Sequence, residues 1–285
     1  MLDSPTYSLW ACPVCQSELQ RELGQWRCAH NHSFDIAKQG YANLLLANQK
    51  RSREPGDTRQ MMDSRRAFLQ GGHYQPLAEK LAELFHSLPQ QARLLDSGCG
   101  EGYYLAQLAQ QRPDLQLSGI DISRDAVKLA ARQLPQAEFA VASSFHLPVL
   151  SQTVDAVLRV FAPGDNDEVR RVLKPRGQLA IVYPGPRHLF GLKQVIYREP
   201  REHNLPALLE GFQQVQEQRV QYRLELQGQA AVGQLLSMTP FYWKGNRQAK
   251  TQLEQLDFLS TEVDFLIRCF QPASDMHTQQ PGSLR

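Results

Sequence analysis

The chain has 285 residues, of which 42% are hydrophobic and 21% are charged, so it can bury a core and is neither disordered nor fibrous. Its formal net charge of +2 excludes a whole-molecule field for nucleic-acid binding and leaves only local patches. It has no apolar run near the ~18 residues of a membrane span and no secretory signal pattern, so we expect a cytoplasmic protein without a membrane partner.

Cysteines near the start of the chain indicate a metal site. Cys12 and Cys15 have the spacing with which two thiolates bind one zinc ion, and Cys28 supplies a third thiolate. His30 and His32 follow, and either imidazole would complete a tetrahedral site, so spacing alone leaves that choice open. A redox pair is disfavoured because no strand-to-helix pattern surrounds these cysteines, and three ordinary reduced thiols are the other alternative. Because so short a segment buries too little surface to fold alone, zinc would supply much of its folding free energy.

Composition and periodicity divide the chain into four segments. Residues 1–45 are predicted to form the zinc-binding domain, and residues 46–88 a connector with a Pro-Gly turn and two helical patterns. Residues 89–272 are predicted to form the main domain. The tail, 273–285, is rich in Ser, Gln and Pro, so we expect it to be disordered.

The main domain alternates short apolar strands with helical patterns, which is typical of an α/β fold with a doubly wound sheet. The predicted strands are 93–96, 115–121, 138–142, 155–160 and 178–183. The predicted helices are 103–110, 125–134 and 167–173, the last followed by a turn at 174–177. Two further strands are predicted at 220–226 and 262–270, with a helix between them.

A glycine-rich loop follows the first strand of this domain and opens a helix. Its glycines are Gly98, Gly100 and Gly102, which let the backbone approach a ligand closely. The dinucleotide pattern Gly-x-Gly-x-x-Gly would instead place its third glycine at Tyr103. Acidic residues beside the loop would repel a pyrophosphate, whereas they suit the cationic sulfonium and ammonium groups of S-adenosylmethionine.

Three carboxylates accompany the loop: Asp96 precedes the glycines, Glu101 lies among them, and Asp121 ends the second strand. A carboxylate at the position of Asp121 can accept hydrogen bonds from both ribose hydroxyls. The alternative is that Asp121 merely begins a helix before Ser123. The segment 142–144 after the third strand has no carboxylate for the adenine amino group, so the adenine contacts stay open.

Longer motifs are spread along the chain. They are the cysteine-rich start, 50–57 (KRSREPGD), 65–69 (RRAFL), 72–77 (GHYQPL), 96–104, 142–144, 159–163 (RVFAP), 184–189 (PGPRHL) and 238–241 (MTPF). Together they resemble segments of the RlmA family of bacterial large-subunit rRNA guanine-N1 methyltransferases, over roughly residues 10–270.

This resemblance implies a class I methyltransferase (Rossmann-like) domain, dependent on S-adenosylmethionine, behind a zinc-ribbon-like domain. It implies zinc on Cys12, Cys15, Cys28 and His32. It also implies cofactor contacts at Tyr74, Gly100, Glu101 and His188. The implied reaction is methylation of a guanine N1 in the hairpin 35 region of 23S rRNA, and a homodimer is a further family-level expectation.

The sequence names no general base, although guanine N1 must lose a proton. N1 lies on the Watson–Crick edge, so the target base must be unpaired or flipped out. Phe161, after the fourth strand, is a candidate for stacking on that base, and a core aromatic is the alternative. His188, after the fifth strand, is a candidate for cofactor contact or proton transfer. The segment 50–66, with six basic and three acidic side chains, is either an RNA contact or a solvated linker.

Three alternative functions differ from this interpretation. The first is S-adenosylmethionine-dependent methylation of another RNA, and the second is methylation of a small molecule. The third is a non-catalytic RNA-binding protein whose sheet has lost its cofactor. Activity on a small acceptor without RNA would favour the second, and failure to bind S-adenosylmethionine would favour the third.

Overall fold

The computed structural model describes residues 8–49, 58–239 and 255–273. Three predicted features lie outside these residues: the basic turn at 50–57, the last two residues of the 238–241 segment, and the tail after residue 273. Within the described ranges, no helix is long and apolar enough to cross a membrane.

The described residues form two sheets and seven α-helices. The strands are β1 (Leu19–Glu22), β2 (Gln25–Cys28), β3 (Ser33–Asp35), β4 (Tyr41–Asn43), β5 (Arg93–Ser97), β6 (Gln116–Asp121), β7 (Glu138–Val141), β8 (Val154–Val160), β9 (Leu173–Pro184), β10 (Phe212–Gln227) and β11 (Phe258–Pro272). The helices are α1 (Arg59–Gln70), α2 (Gln75–Leu84), α3 (Tyr103–Gln111), α4 (Arg124–Gln133), α5 (Asn166–Val172), α6 (Phe190–Ile196) and α7 (Gln229–Ser237).

The large sheet has the strand order β10-β11-β9-β8-β5-β6-β7-β4. Its strands from β4 to β9 pair in parallel, and β11 is antiparallel to both β9 and β10. This arrangement confirms the predicted doubly wound fold. The chain order reverses at β5, and in such sheets ligands bind beyond the carboxyl ends of the strands at that switch point.

Each face of the large sheet is covered by its own core. Leu94 and Leu95 are both buried in β5, but Leu94 belongs to one hydrophobic cluster and Leu95 to the other. The first cluster includes residues of α2, α3, α4 and α7. The second includes residues of α5 together with Trp10 and Leu19 of the N-terminal module. The small module therefore covers part of one sheet face.

The N-terminal module contains the antiparallel sheet β1-β2-β3 and a short pairing to the main domain. Trp10 forms an antiparallel bridge with Val149, and the backbone N–H of Ala11 donates to the carbonyl of Pro148 at 2.9 Å. The Leu150 N–H donates in turn to the Leu9 carbonyl at 2.9 Å. These bonds fix the module to the segment between β7 and β8.

Two features differ from the sequence-based boundaries. Tyr41–Asn43, predicted within the zinc-binding domain, forms β4 and pairs in parallel with β7 at the edge of the large sheet. Its three residues are too few to show a period-2 pattern in the sequence. The turn predicted at 174–177 lies within β9, which begins at Leu173 opposite Val154, and it forms an irregularity after which Gln178 pairs with Ala156. Lys174 Nζ donates to the Asp155 carboxylate at 2.8 Å beside this irregularity.

Candidate active site and metal centre

The four predicted zinc ligands come together beside the small sheet. The sulfur atoms of Cys12, Cys15 and Cys28 and a ring nitrogen of His32 all lie within 4.8 Å of one another. The Sγ atoms of Cys15 and Cys28 are 3.7 Å apart, and His32 Nδ1 lies 3.6 Å from Cys12 Sγ and 3.4 Å from Cys28 Sγ. Tetrahedral zinc bonds place two sulfurs about 3.8 Å apart, and a sulfur and a nitrogen about 3.5 Å apart. These four residues therefore fit zinc, and His30 is not a member of the cluster.

Two tight turns present these ligands. Gln16 follows the first cysteine pair, Asn31 lies between Cys28 and His32, and both residues have a φ of 63° in the left-handed region. The Gln16 N–H donates to the Cys12 carbonyl at 2.8 Å, and the Asn31 N–H donates to the Cys28 carbonyl at 2.9 Å. Asparagine tolerates this conformation better than most residues, which explains its place in the second turn.

The thiols have different surroundings. Hydrogen bonds to Ser17, whose Oγ lies 3.0 Å from Cys15 Sγ, lower the pKa of Cys15 to about 5. Burial raises the pKa of Cys12 to about 11. Because zinc binds thiolates, the metal would supply the free energy that ionises the buried Cys12.

The glycine-rich loop lies at the carboxyl end of β5, between that strand and α3. Gly98 and Gly100 have φ values of 94° and 53°, which favour glycine. A side chain at Gly98 would overlap the methyl group of Ala162, so the loop after β8 packs against this loop. A Cβ atom at Gly100 would meet no atom within 4 Å. The loop is therefore closely packed at Gly98 and has open space for a ligand at Gly100.

The two predicted aspartates lie at the ends of β5 and β6. Asp121 accepts hydrogen bonds from Gly100 N–H at 3.0 Å and Ser123 N–H at 2.8 Å. Asp96 is 1% exposed, and its Oδ1 has no hydrogen-bond partner among the described residues. Burial, and secondly the nearby Asp121, raise the pKa of Asp96 to about 8. A cationic or hydrogen-bond-donating ligand would satisfy this oxygen, which fits S-adenosylmethionine. Glu101 is buried in the same loop.

An aromatic cluster lies beside this loop, at the carboxyl ends of β8 and β9. Phe161 follows β8 with a φ of 51°, and its side chain is 45% exposed. The ring centroid of His188 lies 5.7 Å from that of Phe161 and 6.2 Å from that of Tyr74. The ring centroid of Phe265, on β11, lies 4.8 Å from that of Tyr74 and 5.0 Å from that of His188. The exposure of Phe161 argues against the alternative that it is a core aromatic.

His188 is buried and has a defined hydrogen bond. Its Nδ1 accepts from the Asp264 N–H at 3.3 Å, so the neutral ring has its proton on Nε2. Burial, and secondly the nearby His203, lower the pKa of His188 to about 3. The ring is therefore neutral near pH 7 and presents an N–H donor through Nε2.

A cleft begins where β6 and β7 end, beside the segment 142–144, for which the sequence leaves the adenine contacts open. Ile122 and Ser143, which follow β6 and β7, line a cleft of about 1170 Å³ that also contacts Ala11 and Pro13 of the zinc module. The Ser143 hydroxyl accepts a hydrogen bond from the Phe145 N–H at 3.2 Å. This cleft reaches from the ends of β6 and β7 to the zinc module.

Asp264 and Phe265 also lie beside the site, although no sequence motif marks them. Both lie on β11, which pairs antiparallel with β9 and so reaches the loop that contains His188. The one available signal was a charged residue inside the otherwise apolar run from Val263 to Ile267. A buried charge in such a strand is costly unless it has partners, which marks it for attention.

Two family models match the chain. The model described as "RlmA, N-terminal", a zinc ribbon, matches residues 10–53, and the model described as "Methyltransferase domain" matches residues 94–177. The first match covers the four clustered zinc ligands, and the second covers the glycine-rich loop and Asp121.

Curated relatives match most of the chain. It is 34% identical over 241 residues to the "23S rRNA (guanine(748)-N(1))-methyltransferase" of Streptomyces fradiae, covering 81% of this chain and 85% of that protein. Two others are named "Putative 23S rRNA (guanine-N(1)-)-methyltransferase". The Micromonospora griseorubida protein is 36% identical, covering 64% of this chain and 67% of that one. The Bacillus subtilis protein is 29% identical, covering 92% of this chain and 97% of that one.

Proposed function

This chain belongs to the RlmA family of 23S rRNA guanine-N1 methyltransferases, and from that membership we propose that it methylates N1 of a guanine in the hairpin 35 region of 23S rRNA. Its cofactors are S-adenosylmethionine and zinc. The proposal is best supported by the presence of two sites in one chain. A cluster of three cysteines and one histidine accompanies a glycine-loop site that opens beside an exposed aromatic ring.

The cofactor would be held at the carboxyl ends of β5, β6 and β9. When bound, S-adenosylmethionine supplies an electrophilic methyl group on a sulfonium ion. Asp121 would orient the ribose. The buried Asp96, whose pKa is raised to about 8, would ionise beside the cationic part of the cofactor, because a nearby positive charge lowers that pKa. The residues that we propose for these contacts are Tyr74, Asp96, Gly98, Gly100, Glu101, Gly102, Asp121 and His188.

The target guanine would stack on Phe161. Because N1 is on the Watson–Crick edge, the base must leave any pair before it can enter the site. An exposed ring that is fixed at the end of β8 offers a stacking surface, and such stacking contributes roughly 1–3 kcal/mol per base. Packing of Ala162 against Gly98 would keep this ring close to the cofactor loop.

His188 would act as a hydrogen-bond donor and not as the base that removes the N1 proton. Its Nδ1 is already an acceptor for a backbone N–H, and its Nε2 already has a proton. The exposed side of Phe161 leaves the site open to water, so we propose that the N1 proton passes to solvent.

Substitution of His188 distinguishes a donor from a base. Negative charge develops on the guanine as N1 loses its proton, and losing a hydrogen bond to such a charge costs about 1.5–3 kcal/mol, so we expect His188→Ala to lower the rate of methyl transfer about 10- to 100-fold. His188→Gln keeps an N–H donor and is expected to retain more activity. Because the pKa of His188 is lowered to about 3, its protonation does not change above pH 5. Single-turnover rates of the wild type and His188→Gln from pH 6 to 9 should therefore have the same pH dependence. A base role predicts instead that His188→Gln is as slow as His188→Ala.

RNA attraction would come from α1 more than from the zinc module. In residues 8–45 the basic side chains are Arg21, Arg27 and Lys38, and the acidic ones are Glu18, Glu22 and Asp35. This balance gives the module no positive patch, and three thiolates on Zn²⁺ would add negative charge. The first helix, α1, has three arginines against one aspartate. We therefore propose that the zinc-binding domain, 1–45, recognises rRNA by shape, whereas 46–88 supplies charge to the catalytic domain, 89–272.

A comparison of acceptors tests the proposed substrate. Purified zinc-loaded protein would be incubated with labelled S-adenosylmethionine and with unmethylated 23S rRNA, 16S rRNA or small-molecule acceptors. We expect label in 23S rRNA only. Label in a small acceptor without RNA would overturn the proposed substrate, and an absence of cofactor binding would overturn the enzymatic assignment.

We further propose that the protein works in the cytoplasm, where its rRNA substrate is made, and that it forms a homodimer. In a dimer, two α1 surfaces could frame one RNA groove. Light scattering of the zinc-loaded protein would give the oligomeric state directly.

A further inference from the structure

Asp264 of β11 holds a fully buried carboxylate close to the active site. Its oxygens accept hydrogen bonds from Arg219 Nε at 2.8 Å and Arg219 Nη2 at 2.7 Å. A third bond comes from the backbone N–H of Arg187 at 2.9 Å. Although burial opposes ionisation, the bonds from Arg219 keep the pKa of Asp264 below its usual range. The buried charge is therefore compensated by a two-pronged pair with Arg219 and by one backbone donor.

The backbone of the same residue contacts the loop that contains His188. The Asp264 N–H donates to His188 Nδ1 at 3.3 Å, and its carbonyl accepts from the Gly185 N–H at 2.8 Å. A side chain at Gly185 would overlap the Asp264 carboxylate, so the loop and the strand are in direct contact. Backbone and side chain of Asp264 thus hold three successive parts of the loop: Gly185, Arg187 and His188.

These contacts determine which nitrogen of His188 has the proton. An Nδ1 atom that accepts a hydrogen bond has no proton of its own, so the neutral ring is protonated on Nε2. Because His188 is 6% exposed and packs between Phe161 and Phe265, water does not offer it an equivalent alternative. If the loop moved away from β11, both tautomers would become available and the donor would be present only part of the time.

We propose that Asp264, held by Arg219, is a positioning residue that fixes His188 in the tautomer protonated on Nε2. The inference rests on the proposed function, in which His188 is a hydrogen-bond donor at the reacting centre. Asp264 acts through the loop and through its backbone N–H, and it does not contact the cofactor or the guanine itself. Arg219 contributes by keeping the carboxylate charged and in place.

The substitution Asp264→Asn tests this role. It keeps the size and the backbone N–H but places an amide N–H₂ group against donors of Arg219 or Arg187. We expect kcat/KM to fall about tenfold, since one misplaced donor in an active site has effects of this order or larger. The matched control is Glu262→Gln on the same strand. Its carboxylate binds the Arg187 guanidinium at 2.6 Å and does not contact His188, so we expect a change of less than about twofold.

Two further measurements separate positioning from general stability. In a double-mutant cycle, Asp264→Asn should add little to the loss caused by His188→Ala, because both changes remove the same donor. Nitrogen-15 NMR of the imidazole should show His188 protonated on Nε2 in the wild type and in Glu262→Gln. In Asp264→Asn it should show a mixture of tautomers.

The proposal is overturned if folded Asp264→Asn keeps the wild-type tautomer or if its effect multiplies fully with that of His188→Ala. Should Asp264→Asn fail to fold, Arg219→Gln provides the same readouts from the exposed end of the ion pair. The NMR measurement needs no substrate, so it stands even if 23S rRNA is not the acceptor. A wrong substrate assignment can therefore be told apart from a wrong assignment of the role of Asp264.

Discussion

Replacing Cys28 by serine is expected to remove zinc from the protein and to unfold its N-terminal module. The module's strands have three or four residues each, which is too short for independent stability. Binding of a structural zinc ion provides on the order of 10 kcal/mol of folding free energy in such modules. Because Trp10 and Leu19 cover part of one face of the large sheet, we also expect the methyltransferase domain to unfold at a lower temperature. Metal analysis and thermal unfolding measure the two effects.

The two neighbouring histidines provide a matched pair for the same experiment. His32→Ala should lose zinc and lower the unfolding temperature as Cys28→Ser does, whereas His30→Ala should retain one zinc ion per chain. Retention of zinc and of thermal stability by Cys28→Ser would show that the cluster is three ordinary thiols beside a histidine. Loss of zinc from His30→Ala but not from His32→Ala would show that His30, and not His32, is the fourth ligand.

Asp121→Ala is expected to reduce the affinity for S-adenosylmethionine about 100-fold. The carboxylate would accept hydrogen bonds from the ribose, and losing bonds to a charged group costs about 1.5–3 kcal/mol each. It also anchors the glycine-rich loop through Gly100 N–H and the start of α4 through Ser123 N–H. Both contributions are lost together, since one side chain makes all of these contacts. Titration calorimetry with S-adenosylmethionine measures the change.

The matched control is Asp125→Ala, which removes an exposed carboxylate from the first turn of α4, four residues away. We expect this variant to bind the cofactor within about twofold of the wild type, as is usual for surface substitutions. If Asp121→Ala also binds normally, Asp121 serves only to hold the turn before α4 through Ser123 N–H, and the ribose contact must be sought elsewhere.

The central strands and the clustering of the cysteines were predictable because their signals are local. The apolar runs of β5 to β9 are buried on both faces, and the two-residue spacing of Cys12 and Cys15 is set by the geometry of one metal ion. The choice between His30 and His32 was not local, because it depends on how the Asn31 turn directs the chain toward the other thiols. Spacing alone left the choice open, the family resemblance implied His32, and the structure places His32 in the cluster.

Other features depend on contacts between distant parts of the chain. The register that pairs Phe265 with Pro184 places Asp264 beside the loop of His188, and no pattern in either segment alone shows that pairing. The tautomer of His188 follows from this one contact, and it changes the histidine from a candidate base into a donor. Similarly, β4 forms only because β7 has a free edge with which these three residues can pair.

The zinc module has a structural role as well as its proposed role in recognition, because it covers part of one face of the large sheet. Trp10 and Leu19 pack in the same cluster as Leu95 of β5, the strand that leads to the glycine-rich loop. We therefore expect a change at the metal site to alter the position of the glycine-rich loop through the sheet. This effect does not depend on RNA contact by the module, whose charge balance offers RNA no positive patch.

The most direct test of the account is identification of the methylated atom. The zinc-loaded protein would be incubated with S-adenosylmethionine and unmethylated 23S rRNA, and the product would be digested and analysed by mass spectrometry. We predict one N1-methylguanine per rRNA molecule, in the hairpin 35 region, and an initial rate about 100-fold lower after substitution of Asp121 by alanine at limiting cofactor. Methylation at another atom or outside that region, or no methylation despite bound zinc and cofactor, would contradict the account.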